Sequence, residues 1–130
     1  MKSMITAAAG VLGLLAGSAQ AEDAPVDFAR DIAPILATTC ATCHQVGTEA
    51  GRMALVPKRA LASTVNVPSV EAPGLMRIVP GQPDQSYLVM KLEGTQVAHG
   101  GTGARMPFGA APLSPERIRL IRLWIQQGAR

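Results

Sequence analysis

The chain has 130 residues, of which 12 are Lys or Arg and 9 are Asp or Glu, and its sequence pI is near 9.3. Once the basic residue of the N-terminal leader is set aside, eleven basic and nine acidic side chains remain, and no basic run is interleaved with aromatic residues. We therefore expect no nucleic-acid partner. Only four aromatic side chains serve the whole chain, and so thin a core would gain apolar contact from a bound prosthetic group.

Residues 1–21 have the pattern of a secretory signal peptide. Lys2 supplies the positive start, residues 5–16 are almost all apolar or small, and residues 19–21 read Ala-Gln-Ala, a small-x-small cleavage site. Twelve residues span ~18 Å as a helix, short of a ~30 Å hydrocarbon core. We expect export to the periplasm and one domain over residues 22–130, with an uncleaved membrane anchor as the alternative. Because Arg or Lys interrupts every later apolar stretch, no stable membrane insertion is expected after cleavage.

The first predicted helix covers residues 27–38. Its apolar residues, among them Phe28, Ile32 and Ile35, recur at the spacing of one helix face. Pro34 either kinks this helix or starts a second turn. The cysteine motif follows directly, so it is expected at a helix C-terminal end.

Both cysteines lie in the segment Cys-Ala-Thr-Cys-His of residues 40–44. A redox dithiol has this spacing, but a thioredoxin-like protein would place it at a helix N-terminus after a strand. Nothing strand-like precedes Cys40. Zinc would need four ligands, and the motif together with the distant His99 supplies a poor set.

A histidine directly after the second cysteine is what a c-type haem requires. Cys40 and Cys43 can each add to a vinyl group on one edge of the porphyrin, and His44 then lies under the iron. Such bonds would hold the cofactor covalently, so a small protein need not enclose it. We predict one haem c, bound through Cys40 and Cys43 with His44 as an iron ligand.

Residues 46–82 are expected to form loops, with a short strand at residues 77–79 as the only regular element considered. Within them Pro57 lies thirteen residues after His44. Its carbonyl could accept a hydrogen bond from the imidazole and orient it toward the iron. An ordinary loop proline is the alternative interpretation.

A middle helix is predicted to open at Asp84 or Ser86, either of which can cap it, and to continue to Leu92 before Gly94. Met90 falls inside this helix. We interpret Met90 as a packing residue.

Met106 is the predicted sixth ligand of the iron. Pro107 disfavours helix at the residue before it, and the glycines at 100, 101 and 103 allow the close, irregular path of a chain that crosses a porphyrin. Met106 follows His44 at a distance that lets the chain run around the haem edge and return. The other residues considered for this role are Met53, Met76, Met90 and His99.

Each competing ligand has an ordinary interpretation. Met53 is nine residues past His44, which leaves little chain to reach the other haem face. Met76 lies in a segment that alternates like a short extended stretch. His99 could be a sixth ligand or a partner of a haem propionate, but a solvated loop histidine is the simpler interpretation.

The last helix has Ser114 as its cap, Pro115 at its first position and Gly128 at its end. Its apolar face should pack on the first helix at Phe28, Ile32 and Ile35. We therefore predict an all-α fold with about three main helices and loops around one covalently attached haem. The residues of the last helix's apolar face are Ile118, Ile121, Trp124 and Ile125.

The chain resembles small class I-like bacterial c-type cytochromes, especially the domains called planctomycete-type, in three stretches. These read DIAPILATTCATCH, IVPGQPDQSYLVMKLEG and RMPFGAAPLSPERIRLIRLWIQQGA, in that order. The resemblance implies a small class I-like cytochrome c fold. It also implies that Cys40 and Cys43 bind haem, that His44 is the proximal ligand and that Met106 is the distal one. Two departures are visible: Gln45 stands where many relatives have a small residue, and the late motif reads MPF where MPP is common.

With both axial positions filled, no substrate can reach the iron, so the protein should carry single electrons between redox partner proteins and not act as an enzyme. It would be a monomer or a subunit of a redox complex, such as an accessory subunit of a dehydrogenase or oxidase. The C-terminal arginines could steer an acidic partner. A haem-based ligand sensor and a thiol-disulfide oxidoreductase are the alternatives of other classes. Propionate donors could be Arg52, Arg105, Tyr87 or Trp124.

Overall fold

The computed structural model describes residues 24–130, so the expected signal peptide lies outside the described residues. Over this range the chain forms four α-helices and no strand, which agrees with the predicted all-α class. No helix in this range is long and apolar enough to cross a membrane. The helices are α1 (Ala33–Thr39), α2 (Pro57–Thr64), α3 (Tyr87–Glu93) and α4 (Pro115–Gln126).

The first predicted helix is present but consists of two parts. A π-helical turn, Phe28–Ile32, runs into α1. The Asp27 carboxylate caps it by accepting a hydrogen bond from the Arg30 N–H at 2.7 Å. Pro34 lies in the first turn of α1, where its missing N–H costs no helical hydrogen bond. The helix therefore restarts at the proline, which is one of the two outcomes expected.

Helix α2 corrects the prediction that residues 46–82 are loops. It begins at Pro57, with Val56 still extended, because proline is favoured at a first helical position. Ala60 and Thr64 are buried, and the Thr64 hydroxyl donates to the Ala60 carbonyl at 2.7 Å. Small and polar residues on the buried side give this helix a weak apolar signal.

The short strand expected at residues 77–79 is also absent from the described chain. Extended residues form only isolated bridges, in which Ile78 pairs with Val65 and Met76 pairs with Pro68 and Ser86. Met76 thus lies in an extended stretch, as its alternating sequence indicates.

Helix α3 starts later than the earliest expected residue, and its start is stabilised differently. Asp84 lies in the preceding 3-10 turn. Ser86 occupies the cap position, but its hydroxyl accepts from the Val79 N–H and donates to the Gln82 carbonyl, both at 2.9 Å. The buried hydroxyl holds the preceding loop and does not cap the helix. Gly94 ends α3 in the left-handed conformation, as predicted.

Helix α4 matches its prediction closely. The Ser114 hydroxyl accepts from the Arg117 N–H at 3.4 Å, and Pro115 is the first residue. Trp124 and Phe28 pack with ring centroids 5.6 Å apart. The predicted contact of α4 with the first helix is confirmed, because the buried faces share one apolar core. The fully buried large side chains of this core are Ile32, Ile78, Val89, Ile121 and Ile125.

Candidate functional site

A cavity of about 540 Å³ lies between the end of α1, one side of α3 and the loop that carries Met106. Its walls are mostly apolar. The residues on the α1 side are Thr39, Cys40, Cys43, His44, Ala50, Gly51, Met53 and Leu55, and those on the other sides include Leu88, Leu92, Ala104, Met106, Pro107 and Phe108.

The motif Cys-Ala-Thr-Cys-His forms a tight turn at the end of α1. The Cys40 N–H still donates to the Leu36 carbonyl at 2.9 Å, so the helix ends there. The N–H groups of Cys43 and His44 then both donate to the Cys40 carbonyl, at 3.2 and 3.0 Å. This turn brings all three side chains to one cavity wall. The expected position at a helix C-terminal end is confirmed.

The two thiols differ in exposure. Cys43 is exposed, while Cys40 is partly buried, and this burial raises the pKa of the Cys40 thiol to about 11. Both are free in the described chain. Since thiol exchange depends on a thiolate, usually one with a lowered pKa, Cys40 as it stands is a poor redox nucleophile.

The His44 imidazole lies on the same wall and is only 8% exposed. Burial lowers its pKa, against smaller opposing effects of the Glu49 and Glu71 charges. The neutral imidazole that this favours is the metal-binding form. Its Nδ1 atom is buried and makes no hydrogen bond of normal length and angle within residues 24–130, but the Ala50 backbone also opposes the lowering of the imidazole pKa. The contact considered for Pro57 is therefore not formed, because Pro57 begins α2 instead.

Met106 lies on the cavity wall, and its N–H donates to the Lys91 carbonyl of α3 at 2.9 Å. Met53 also lines the cavity, from the segment next to His44. Met90 is buried among Ala72 and Tyr87, which confirms it as a packing residue. The structure does not bring Met76 or His99 to the cavity.

Besides Cys40, Cys43 and His44, four ionisable side chains lie on the mostly apolar wall, and the sequence alone suggests only one of them, Tyr87. Arg77 is 7% exposed, and its guanidinium donates to the carbonyls of Ser63, Gly51 and Arg52 at 2.6, 2.8 and 3.0 Å. Burial lowers its pKa, and no carboxylate of the described chain pairs with it. The other three ionisable residues are Glu71, Tyr87 and Lys91, and Thr39 and Ser69 add hydroxyl groups to the wall.

The other propionate donors proposed from sequence do not line the cavity. Trp124 is buried in the main core, and its ring N–H donates to the Arg130 carbonyl at 3.0 Å. Arg52 and Arg105 also lie off the wall. A lone arginine in the apolar run Leu-Met-Arg-Ile-Val was the signal that could have found Arg77.

Within residues 24–130 no group of three or more His, Cys, Asp or Glu side chains could hold a metal ion. A metal at this cavity would therefore need a sulfur ligand from methionine or a prosthetic group. Comparisons with models of protein families, with curated proteins and with solved structures found no match.

Proposed function

We propose that this chain is a periplasmic c-type cytochrome with one haem, which carries single electrons between redox partner proteins. The observation that carries the proposal is that Cys40, Cys43, His44 and Met106 all line one cavity. Met106 comes from a segment far along the chain, so a motif and a distant ligand candidate converge at the same space. The fold would then be that of a small cytochrome c.

The cavity suits such a group in size and chemistry. Its volume falls within the ~300–1,000 Å³ usual for cofactor sites, and its wall is mostly apolar. Arg77 adds a buried cation without a carboxylate partner, which fits a ligand that is apolar over its faces and carries carboxylates at one edge. Burial of the His44 imidazole also favours its neutral form, which is the form that binds a metal.

Each residue then has a definite task. Cys40 and Cys43 hold the haem through thioether bonds, which also removes the thiols from exchange chemistry. His44 and Met106 would both bind the iron and would exclude other ligands from it. A methionine sulfur favours the reduced state, so the pair sets a comparatively high potential. The haem supplies the one-electron couple.

Electron exchange would occur where the cavity reaches the surface. Phe108 lines the cavity and is 78% exposed, so the wall is continuous with the outside at this residue. Electrons passing to a partner that docks beside Phe108 would not have to cross the interior of the protein. The same site serves a free carrier and an electron-transfer subunit of a larger complex.

A redox titration with a carbon monoxide assay tests the function. The protein, produced in cells that mature c-type haem, should titrate reversibly as a one-electron couple. Its reduced form should not bind carbon monoxide. Ready binding of carbon monoxide by the wild-type protein would mean an open iron site and would replace the carrier with a ligand sensor. A protein that lacks haem and exchanges disulfides would contradict both the electron-carrier and the ligand-sensor functions.

A further inference from the structure

The loop that carries Met106 is fastened to α3 at several points. The Lys91 backbone carbonyl accepts a hydrogen bond from the Met106 N–H. The Lys91 Nζ donates to the Thr102 carbonyl at 3.0 Å. The Tyr87 hydroxyl accepts from the Thr102 N–H at 3.3 Å. Because Tyr87 and Lys91 are one helical turn apart, a single face of α3 holds the loop.

Glu71 joins these two side chains from outside the helix. Its Oε2 atom lies 3.1 Å from the Lys91 Nζ and 3.1 Å from the Tyr87 hydroxyl, which donates to it. The Lys91 side chain is only 7% exposed, and this carboxylate is its ion-pair partner. The Ser69 hydroxyl accepts from the Glu71 N–H at 3.2 Å and holds the turn that presents the carboxylate.

The loop lies so close to this network that glycine is required. A Cβ atom at Gly101 would lie 2.5 Å from the Tyr87 ring and 2.9 Å from the Gln96 carbonyl oxygen. The Gln96 amide donates to the Gly103 carbonyl at 2.8 Å. Any movement of Tyr87 or Lys91 is therefore passed to the loop.

We propose that Glu71 is a positioning residue that sets how firmly Met106 holds the iron. Glu71 fixes the side chains of Lys91 and Tyr87, and these fix the glycine-rich loop at Thr102, just before Met106. The Lys91 backbone carbonyl holds Met106 itself. A glycine-rich segment loses much conformational entropy when it is ordered, so the network stabilises the bound arrangement of Met106 before ligation. This inference rests on the proposed function, since it concerns the strength of that axial bond.

Competition with imidazole measures the effect in the oxidised haem protein. Glu71→Gln should bind imidazole about tenfold more tightly than wild type, because charged hydrogen bonds that hold the loop are lost. Glu93→Gln is the matched control: it also breaks an ion pair of α3, the 3.0 Å contact with Arg122, but lies off the cavity wall. This control should keep the wild-type affinity for imidazole.

Gly101→Ala gives a second variant that changes no charge. Its added Cβ should push the loop off Tyr87 and raise imidazole affinity in the same direction as Glu71→Gln, while haem stays attached. If both variants bind imidazole as the wild type does, or if Glu93→Gln changes as much as Glu71→Gln, the role of Glu71 is refuted while the cytochrome function stands. A wild-type chain without covalent haem, or without a methionine ligand, overturns both.

Discussion

The N–H of Leu55 donates to the carbonyl oxygen of His44 at 2.7 Å. This bond brings the chain back to the histidine and places Ala50, Gly51, Met53 and Leu55 beside it on one wall of the cavity. Met53 therefore approaches from the His44 side, whereas Met106 approaches from a loop bound to α3. The two methionines of the cavity are thus distinguished by the backbone that carries them.

Met106→Ala should remove the sixth ligand, and Met53→Ala should not. Without the sulfur, the reduced iron should bind carbon monoxide, and the absorption band of methionine-ligated ferric haem should disappear. The redox potential of the haem should also fall. Visible spectra and a redox titration check these results. His99→Ala is the control, and its spectrum should be that of the wild type. Loss of the band in Met53→Ala or His99→Ala, with Met106→Ala unchanged, would assign the ligand to another residue.

Arg77→Leu should destabilise the folded protein by about 2 kcal/mol, because three partly buried carbonyls lose a charged donor. Denaturant unfolding measures the change. The matched control is Arg119→Leu on the exposed side of α4, which should stay within about 0.5 kcal/mol of wild type. Equal free energies of unfolding for the two variants would mean that the Arg77 guanidinium contributes little to the stability of the folded protein.

Glu49 should make stability depend on pH in the acid range. Its carboxylate accepts from the Val46 and Gly47 N–H groups just after His44, and backbone hydrogen bonds lower its pKa from 4.5 to about 2. A lowered folded-state pKa means that its contribution is complete above 4.5 and is lost as the pH falls toward 2. Unfolding midpoints of Glu49→Gln should decline less over this window. Parallel curves for the two proteins would contradict the prediction.

The apoprotein should lack fixed tertiary structure. Without haem, the mostly apolar wall of this cavity would be exposed to water, and a domain with so small a core has little stability to offset that loss. Cys40→Ala with Cys43→Ala provides the apoprotein, and near-ultraviolet circular dichroism reports its packing. A cooperative thermal transition close to that of the haem protein would show that the polypeptide core suffices.

The helices that the sequence predicts correctly are those with strong local sequence signals. The end helices carry large apolar residues at helical spacing and, in α4, a serine cap followed by proline, so their extents and mutual contact could be predicted. Helix α2 is not predicted from the sequence, because Pro57 is also a common loop residue and because the buried side of the helix is formed by Ala60 and Thr64. These small side chains leave little periodic signal.

Long-range contacts account for the other differences. Ser86 looks like a helix cap, but the loop at Val79 and Gln82 takes its hydroxyl. The burial of Arg77 depends on carbonyls some 14 to 26 residues earlier, which no local pattern reveals. The convergence of the cysteine motif and Met106 was expected from the resemblance and from the glycine-proline setting of Met106. Their roles as haem ligands stay a prediction.

The intact mass of the exported chain under denaturing conditions tests the central claim most directly. We predict a polypeptide heavier by one haem, with no titratable thiol, because Cys40 and Cys43 are both consumed. Cys40→Ala with Cys43→Ala should have the mass of the bare polypeptide. A wild-type chain of bare mass with two titratable thiols, from cells able to attach c-type haem, would contradict the account.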